Sequence, residues 1–303
     1  MGTFDATVAK PVPAPKLRKE NRIRTIRDSL AIEGNKLSRE QVTAILEGRR
    51  VLGAPRDILE VTNAVRAYER SDAFDPYAEE SLLRAHAVFM RGLVTETGKY
   101  RSGGVGILKG SRVTHVAPPA KRVPGAMRDL FAFLRRDLET PALVRAVVFH
   151  YELEFIHPFT DGNGRLGRFW QHLLSRKAFP IFEYVPVESL VRARQDDYYE
   201  ALERSDRSGT CDRFIELMLS IALEGVSELA PELRSATVTA KDRLERARQK
   251  LGRRWFSRKE YRALFPELST ATASRDLRGG VDSGRLVLRG TRRLSEYRFA
   301  GRS

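Results

Sequence analysis

His157-Pro158-Phe159-Thr160-Asp161-Gly162-Asn163-Gly164-Arg165-Leu166-Gly167-Arg168 is the stretch around which the rest of the chain can be read. Pro158 and the Gly162-Asn163-Gly164 turn cannot continue the apolar segment that ends near Ile156, so the spacing predicts a tight loop. A helix follows at once from Asn163 or Gly164. Leu166, Phe169, Trp170 and Leu173 recur at i, i+3, i+4 and i+7, the pattern of one buried helical face.

A glycine turn that opens a helix is an anion site, because N–H groups without intrahelical partners and the positive end of the helix dipole point the same way. Gly162, Asn163 and Gly164 supply that turn. Arg165 and Arg168 lie three apart on the first helical turn, where two guanidinium forks can reach successive phosphates. Asp161 offers a hard oxygen to Mg²⁺, which keeps most of its waters and bridges a protein carboxylate to phosphates. His157 is the side chain in the loop suited to take a proton near neutral pH. Together these are the parts of nucleotide phosphoryl or nucleotidyl transfer.

The twelve residues fit the pattern HPFx[DE]GNGRxxR at every defined position, and the chain thereby resembles the Fic-domain family. The resemblance implies an all-α Fic helical core with a small β-hairpin flap, and transfer of AMP from MgATP to Tyr, Thr or Ser hydroxyls of a protein. It implies His157 as base, Asp161 as metal ligand, and Gly162, Asn163, Gly164, Arg165 and Arg168 as nucleotide contacts. The Asn163 amide is expected on the equatorial oxygens, Arg165 on the β-phosphate and Arg168 on the γ-phosphate. Tyr199 resembles a family position near the adenine, where an aromatic face stacks on the base; packing would equally account for Tyr198-Tyr199. Ser29-Leu30-Ala31-Ile32-Glu33-Gly34 resembles the family's inhibitory motif [ST]xxxE[GN]. Ser29 and Glu33 share a helical face, and a glutamate at a helix C-terminus runs against the dipole unless a cation meets it. Arg168 is the expected partner.

At 303 residues the chain has room for about two domains. Charged residues make up 31%, and the net charge of +15 favours polyanions or acidic surfaces. Residues 241–303 hold 18 Lys and Arg against 7 Asp and Glu, so most of the excess sits in the last fifth. Cys211 is the single cysteine, which excludes an intrachain disulfide framework and a cysteine-based zinc site. No signal-like apolar run opens the chain and no membrane-spanning run follows, so a cytoplasmic location without membrane attachment is expected. Secretion by a route that needs no signal stays open.

Residues 1–20, with Pro11, Pro13 and Pro15, read as a flexible arm. A helix from Arg22 ends at Gly34, and Ser38 with Gln41 forms a capping box for the next. Residues 56–70, 80–97, 124–138 and 142–156 read as helices, as does Glu188 to Ser205 in one piece. His86, His150 and His172 read as packed histidines, and Phe159 as an anchor of the loop. Between Tyr100 and Pro119 the glycines punctuate a short hairpin turning near Lys109-Gly110. The resemblance makes residues 103–116 the flap on which an extended protein substrate pairs through its backbone.

The domain reading is an arm at 1–20, a Fic domain at 21–225 with an inhibitory helix at 21–34, a linker at 226–240, and a winged helix-turn-helix-like domain at 241–303. In the last, Ser274 to Arg278 would be the recognition helix and Arg289, Arg292 and Arg293 the wing, with DNA as a candidate partner of residues 257–299. De-AMPylation, transfer of another nucleotide, and a DNA-binding regulator with a nucleotide-sensing Fic fold are the alternatives. Whether the chain forms a homo-oligomer stays open.

Overall fold

The computed structural model describes residues 15–109, 112–237, 240–266, 268–291 and 295–300. They divide into a larger unit ending at Ala230 and a smaller one from Pro231. In the larger unit α1 (Pro15–Ile32), α2 (Arg39–Leu46), α3 (Pro55–Glu69) and α4 (Glu79–Phe89) precede a hairpin of β1 (Gly106–Lys109) and β2 (Arg112–Val116). Then come α5 (Val123–Arg136), α6 (Ala142–Ile156), α7 (Asn163–Ala178), α8 (Val187–Ala193), α9 (Gln195–Ser208) and α10 (Asp212–Thr237), whose last residues run past the division at Ala230.

The quoted stretch joins α6 to α7, the two helices that pack most extensively on each other. Both are enclosed on nearly all sides. Phe149 and Leu153 of α6, and Leu166, Phe169, Trp170 and Leu173 of α7, lie in one core with Phe131 of α5 and Leu82 and Phe89 of α4. Trp170 is fully buried and its indole N–H donates to the Pro76 carbonyl at 3.1 Å, so its polar edge costs nothing on burial. Truncating such a side chain costs about 3–5 kcal/mol. The loop is therefore carried by two helices set in the core of the unit.

Helix α1 begins at Pro15, not at Arg22, so the last residues of the expected arm are helical. Proline suits a first helical turn, where its missing N–H has no partner to lose. Long-range contacts fix this early start: Arg18 donates to the Tyr184 hydroxyl at 3.1 Å, Lys19 pairs with Glu47, and Asn21 donates to the Tyr184 carbonyl. Ile23, Ile26 and Leu30 enter the α6–α7 core, whereas Ile32 joins a second cluster with Val147, Tyr151, Tyr198 and Phe214. The buried Asp28 is held by Arg27, Arg192 and the Ser189 hydroxyl.

Three other expected elements differ. The 80–97 helix stops at Phe89, because Gly92 and Gly98 adopt left-handed φ values of 74° and 69° and turn the chain back toward His86. The 188–205 helix is two, interrupted at Arg194, whose N–H caps α8 on Leu190 and Val191. The expected linker 226–240 is largely helical, since α10 runs through to Thr237. The capping box at Ser38 and Gln41 forms as the spacing predicts. The β1–β2 hairpin is antiparallel and pairs Gly106 with Val116.

The smaller unit runs α11 (Ala240–Leu251), β3 (Phe256–Ser257), α12 (Arg258–Ala263), α13 (Thr270–Asp282), β4 (Leu286–Arg289) and β5 (Glu296–Phe299). Its sheet is ordered β3-β5-β4 and is antiparallel throughout. Leu244, Leu251, Phe256, Tyr261, Leu277, Leu286 and Phe299 make its own core. Buried Asp276 accepts two bonds from Arg243, at 2.6 and 2.8 Å, and one from the Tyr261 hydroxyl. Helix α13 runs past the expected recognition segment Ser274 to Arg278 and takes in Gly279 and Gly280, where a side chain at 280 would run into Leu286 and Leu244. Arg292 and Arg293 of the expected wing lie outside the described residues. Among the described residues no helix is long and apolar enough to cross a membrane.

Candidate functional site

His157 caps the C-terminus of α6 in a left-handed conformation, φ 47° and ψ 60°. It is the one non-glycine residue with positive φ among the described residues. Such a backbone costs about 1–3 kcal/mol and persists only where surrounding bonds hold it. Its Nδ1 lies 3.3 Å from the Glu154 carbonyl oxygen. That oxygen can only accept, so Nδ1 carries the proton and Nε2 is the basic nitrogen.

The loop is braced from inside and outside. The Asn163 carboxamide closes it by accepting from the Phe159 N–H at 3.0 Å and donating to the Phe159 carbonyl at 2.9 Å. Both ends of the amide are thus engaged in bracing the loop itself. Phe159 is fully buried and stacks on His86, with ring centroids 3.8 Å apart. His86 Nδ1 accepts from the Gly98 N–H at 2.9 Å, so its Nε2 carries the proton and donates to the Asp161 carbonyl at 3.1 Å. Burial pushes the His86 pKa down to about 4, which keeps that pattern at neutral pH. His86 is packed as the sequence implied, but it also fixes the loop. Its partners lie 12 and 75 residues away, and no local pattern announces them.

Gly162 sits at φ 86° and precedes α7. A side chain there would strike the Met90 sulfur. The N–H groups of Asn163, Gly164 and Arg165 open the helix, the first intrahelical bond being Leu166 N–H to the Gly162 carbonyl. The Asp161 carboxylate accepts from the Gly162 N–H at 2.6 Å and Arg165 at 2.9 Å, and Arg56 reaches its other oxygen at 3.2 Å. Its side chain is 39% exposed. Among the described residues no three His, Cys, Asp or Glu converge as a metal cage. One open carboxylate beside a phosphate nest fits Mg²⁺, which takes few protein ligands.

Arg165 is nearly buried between Asp161 and Glu60, the latter at 3.3 Å. Arg168 is engaged from α1. Its Nε donates to the Ser29 hydroxyl at 3.1 Å, and one terminal nitrogen to the Ser29 carbonyl at 3.0 Å and to Glu33 at 2.6 Å. Burial works against the Arg168 charge, yet the Glu33 carboxylate holds its pKa above the ordinary arginine value. Glu33 lies over the mouth of the turn, since a side chain added at Gly164 would collide with its carboxylate. Tyr199 is half-buried beside the same helix end, its hydroxyl 3.5 Å from the Ile32 carbonyl.

Glu154, one turn before His157, is absent from the sequence reading. Its carboxylate lies 4.0 Å from His157 Nδ1 and 3.8 Å from His150 Nε2, and one oxygen is buried without a hydrogen bond. Burial raises its pKa to about 8, against the pull of Arg168.

The description "Fic/DOC family" matches residues 75–175. A solved Fic family protein from Desulfovibrio desulfuricans G20 is 42% identical, with a TM-score of 0.70, over 96% of this chain and 89% of its own. Protein adenylyltransferase fic-1 of Caenorhabditis elegans is 29% identical over 199 residues, 62% of this chain and 37% of its own length. A probable protein adenylyltransferase of Aquifex aeolicus is 26% identical over 215 residues, 63% and 65% of the two. The chain thus spans about a third to two thirds of the length of these curated relatives.

Proposed function

The chain belongs to the Fic/DOC family, and we propose that it transfers AMP from MgATP to Tyr, Thr or Ser hydroxyls of a protein target and of itself. One observation carries the reading: a basic imidazole nitrogen, an open carboxylate, a helix-opening turn of N–H groups and two arginines meet within one loop and one helical turn. The names of the curated relatives support it.

In this reading His157 Nε2 takes the proton of the acceptor hydroxyl while its oxygen attacks the α-phosphorus of ATP. The bond from that phosphorus to the bridging oxygen breaks, pyrophosphate leaves, and a phosphodiester joins AMP to the protein. General-base help of this kind contributes about 10²- to 10⁴-fold. N–H groups of Asn163, Gly164 and Arg165 stabilise charge growing on the α-phosphate, as donors fixed in advance do. Asp161 would hold Mg²⁺, which when bound supplies positive charge to the α- and β-phosphates. Arg165 serves the β-phosphate and Arg168 the γ-phosphate, and Tyr199 stands near the adenine.

Glu33 holds the enzyme back. Its carboxylate takes the Arg168 guanidinium, the group the reading gives to the γ-phosphate, and lies over Gly164. An extended acceptor segment pairs on the β1–β2 hairpin. The single cysteine fits a reducing compartment such as the cytoplasm.

Incubation with α-labelled ATP and a lysate, followed by mass spectrometry, tests the reaction. It should show AMP on hydroxyl side chains; label from UTP or GTP alone, or net removal of AMP from a labelled protein, would replace it. For the smaller unit we read a winged helix that contacts DNA, supported by its order of helix, strand, two helices and two strands, and by exposed Arg275 and Arg278 on α13. Duplex binding through phosphates should weaken steeply with salt. A folded chain with no salt-sensitive DNA shift points to protein contact instead.

A further inference from the structure

Arg101 follows α4 and precedes the hairpin, and it is 3% exposed. Its guanidinium faces main-chain carbonyls: Nε donates to His157 at 2.7 Å, one terminal nitrogen to Gly103 at 2.8 Å, and the other to Pro118 at 2.5 Å and Ile156 at 3.2 Å. Its own N–H donates to the Pro158 carbonyl at 2.9 Å. Among the described residues no carboxylate pairs with it, and burial alone lowers its pKa.

These acceptors come from two places. Ile156 and His157 lie at the end of α6, where carbonyls lack intrahelical donors and the helix dipole is negative, so the dipole stands in for a counter-ion. Gly103 and Pro118 are the two feet of the hairpin, just outside the paired residues Gly106 and Val116. One planar fork therefore ties both feet to the carbonyl of a residue held at positive φ. Lysine cannot do this, since an ammonium presents a point charge where a guanidinium presents a rigid set of five donors.

We propose that Arg101 is the positioning residue that couples the hairpin to His157, setting the distance between a backbone-paired acceptor segment and the imidazole that takes its proton. The proposal rests on the adenylyl-transfer reading and goes beyond it, because it names the link between acceptor docking and the base. Arg101 touches neither nucleotide site nor acceptor in this assignment; it acts through the His157 backbone. A misplacement of about 1 Å costs on the order of 10²-fold in rate.

The test uses the full chain as wild type, Arg101→Lys and Arg101→Ala. Self-labelling from α-labelled ATP, MgATP affinity, and the NMR signals of the His157 ring and the hairpin amides are measured. Arg101→Lys should bind MgATP within about threefold of wild type, label itself on the order of 10²-fold more slowly, and shift the His157 and hairpin signals together. Methylguanidinium should restore part of the Arg101→Ala rate where methylammonium does not. An unchanged Arg101→Lys rate, a proportional loss of MgATP binding, or hairpin signals that move while His157 stays would each overturn the proposal. So would an Arg101→Lys chain that fails to fold. If neither wild type nor Glu33→Gly transfers AMP, the adenylyl reading falls, and the joint movement of the two sets of signals still decides the coupling.

Discussion

The motif loop and the end of α1 meet at the same cradle, yet they are held there in different ways. The loop is closed by bonds that meet inside it: Asn163 on Phe159, His86 on the Asp161 carbonyl, Arg101 on Ile156 and His157. Helix α1 is held along its length by bonds to distant segments, from Asn21 on Tyr184 through Asp28 on Arg192 to Gln195 on the Ile32 carbonyl. Glu33 lies just past the last helical residue and its side chain is 34% exposed. A loop so braced presents fixed groups. A helix so docked, with the Glu33 carboxylate at its open end, would make the proposed gate a side chain on a stationary support.

The largest expected effect belongs to the loop. His157→Ala should lower label transfer by about 10²- to 10⁴-fold while MgATP affinity stays within a few-fold. A mutant that still labels itself near the wild-type rate would remove His157 as the base.

The next effect separates the two ways of holding. Glu33→Gly should raise self-labelling by roughly 5- to 150-fold, the usual range of a coupling between two states, and the gain should vanish in combination with His157→Ala. Its thermal stability should also fall, because the Arg168 side chain is only 3% exposed and keeps its Ser29 bonds but loses its counter-ion. Asp28→Ala removes the buried acceptor shared by Arg27, Arg192 and Ser189, and should destabilise by about 1–3 kcal/mol with a smaller gain in rate. If Asp28→Ala activates as strongly as Glu33→Gly, the gate is release of the whole helix and the comparison is wrong.

These assignments were not equally legible in the sequence. The loop and α7 were, because proline, the glycines and a period of 3.6 all act over a few residues. The Ser29–Glu33 face was readable for the same reason. The early start of α1 was not, since Arg18, Lys19 and Asn21 answer to residues 28 to 166 positions away. Nor was the role of Asn163: an amide beside two glycines suggests a ligand contact, and only the folded loop shows both its ends on Phe159. Arg101 had no signal, because its partners are carbonyls, which every residue carries. The α8–α9 break turns on the backbone of Arg194, which composition does not mark.

The smallest expected effect concerns Glu154, where loop and helix end act on one proton. Burial raises its pKa to about 8 from near 4.5, the Arg168 charge opposes that rise and the Glu33 charge adds to it, while His150 and His157 stand within 4.0 Å. Between those two pH values the unfolded chain has lost the Glu154 proton and the folded chain keeps it. The folded state then binds more protons, so this group's contribution to stability falls as pH rises from about 4.5 to about 8 and is level above. Glu154→Gln, a neutral stand-in for the protonated form, should lack that slope. Relative to wild type it should gain on the order of 1–3 kcal/mol between pH 4.5 and pH 8.5 in urea unfolding. Adding Glu33→Gly to an otherwise wild-type chain removes the neighbouring anion and should shift the end of the slope to lower pH. A Glu154→Gln difference that is the same at both pH values would show that Glu154 titrates normally. An unchanged slope in Glu33→Gly would show that the α1 carboxylate does not reach the floor of the loop.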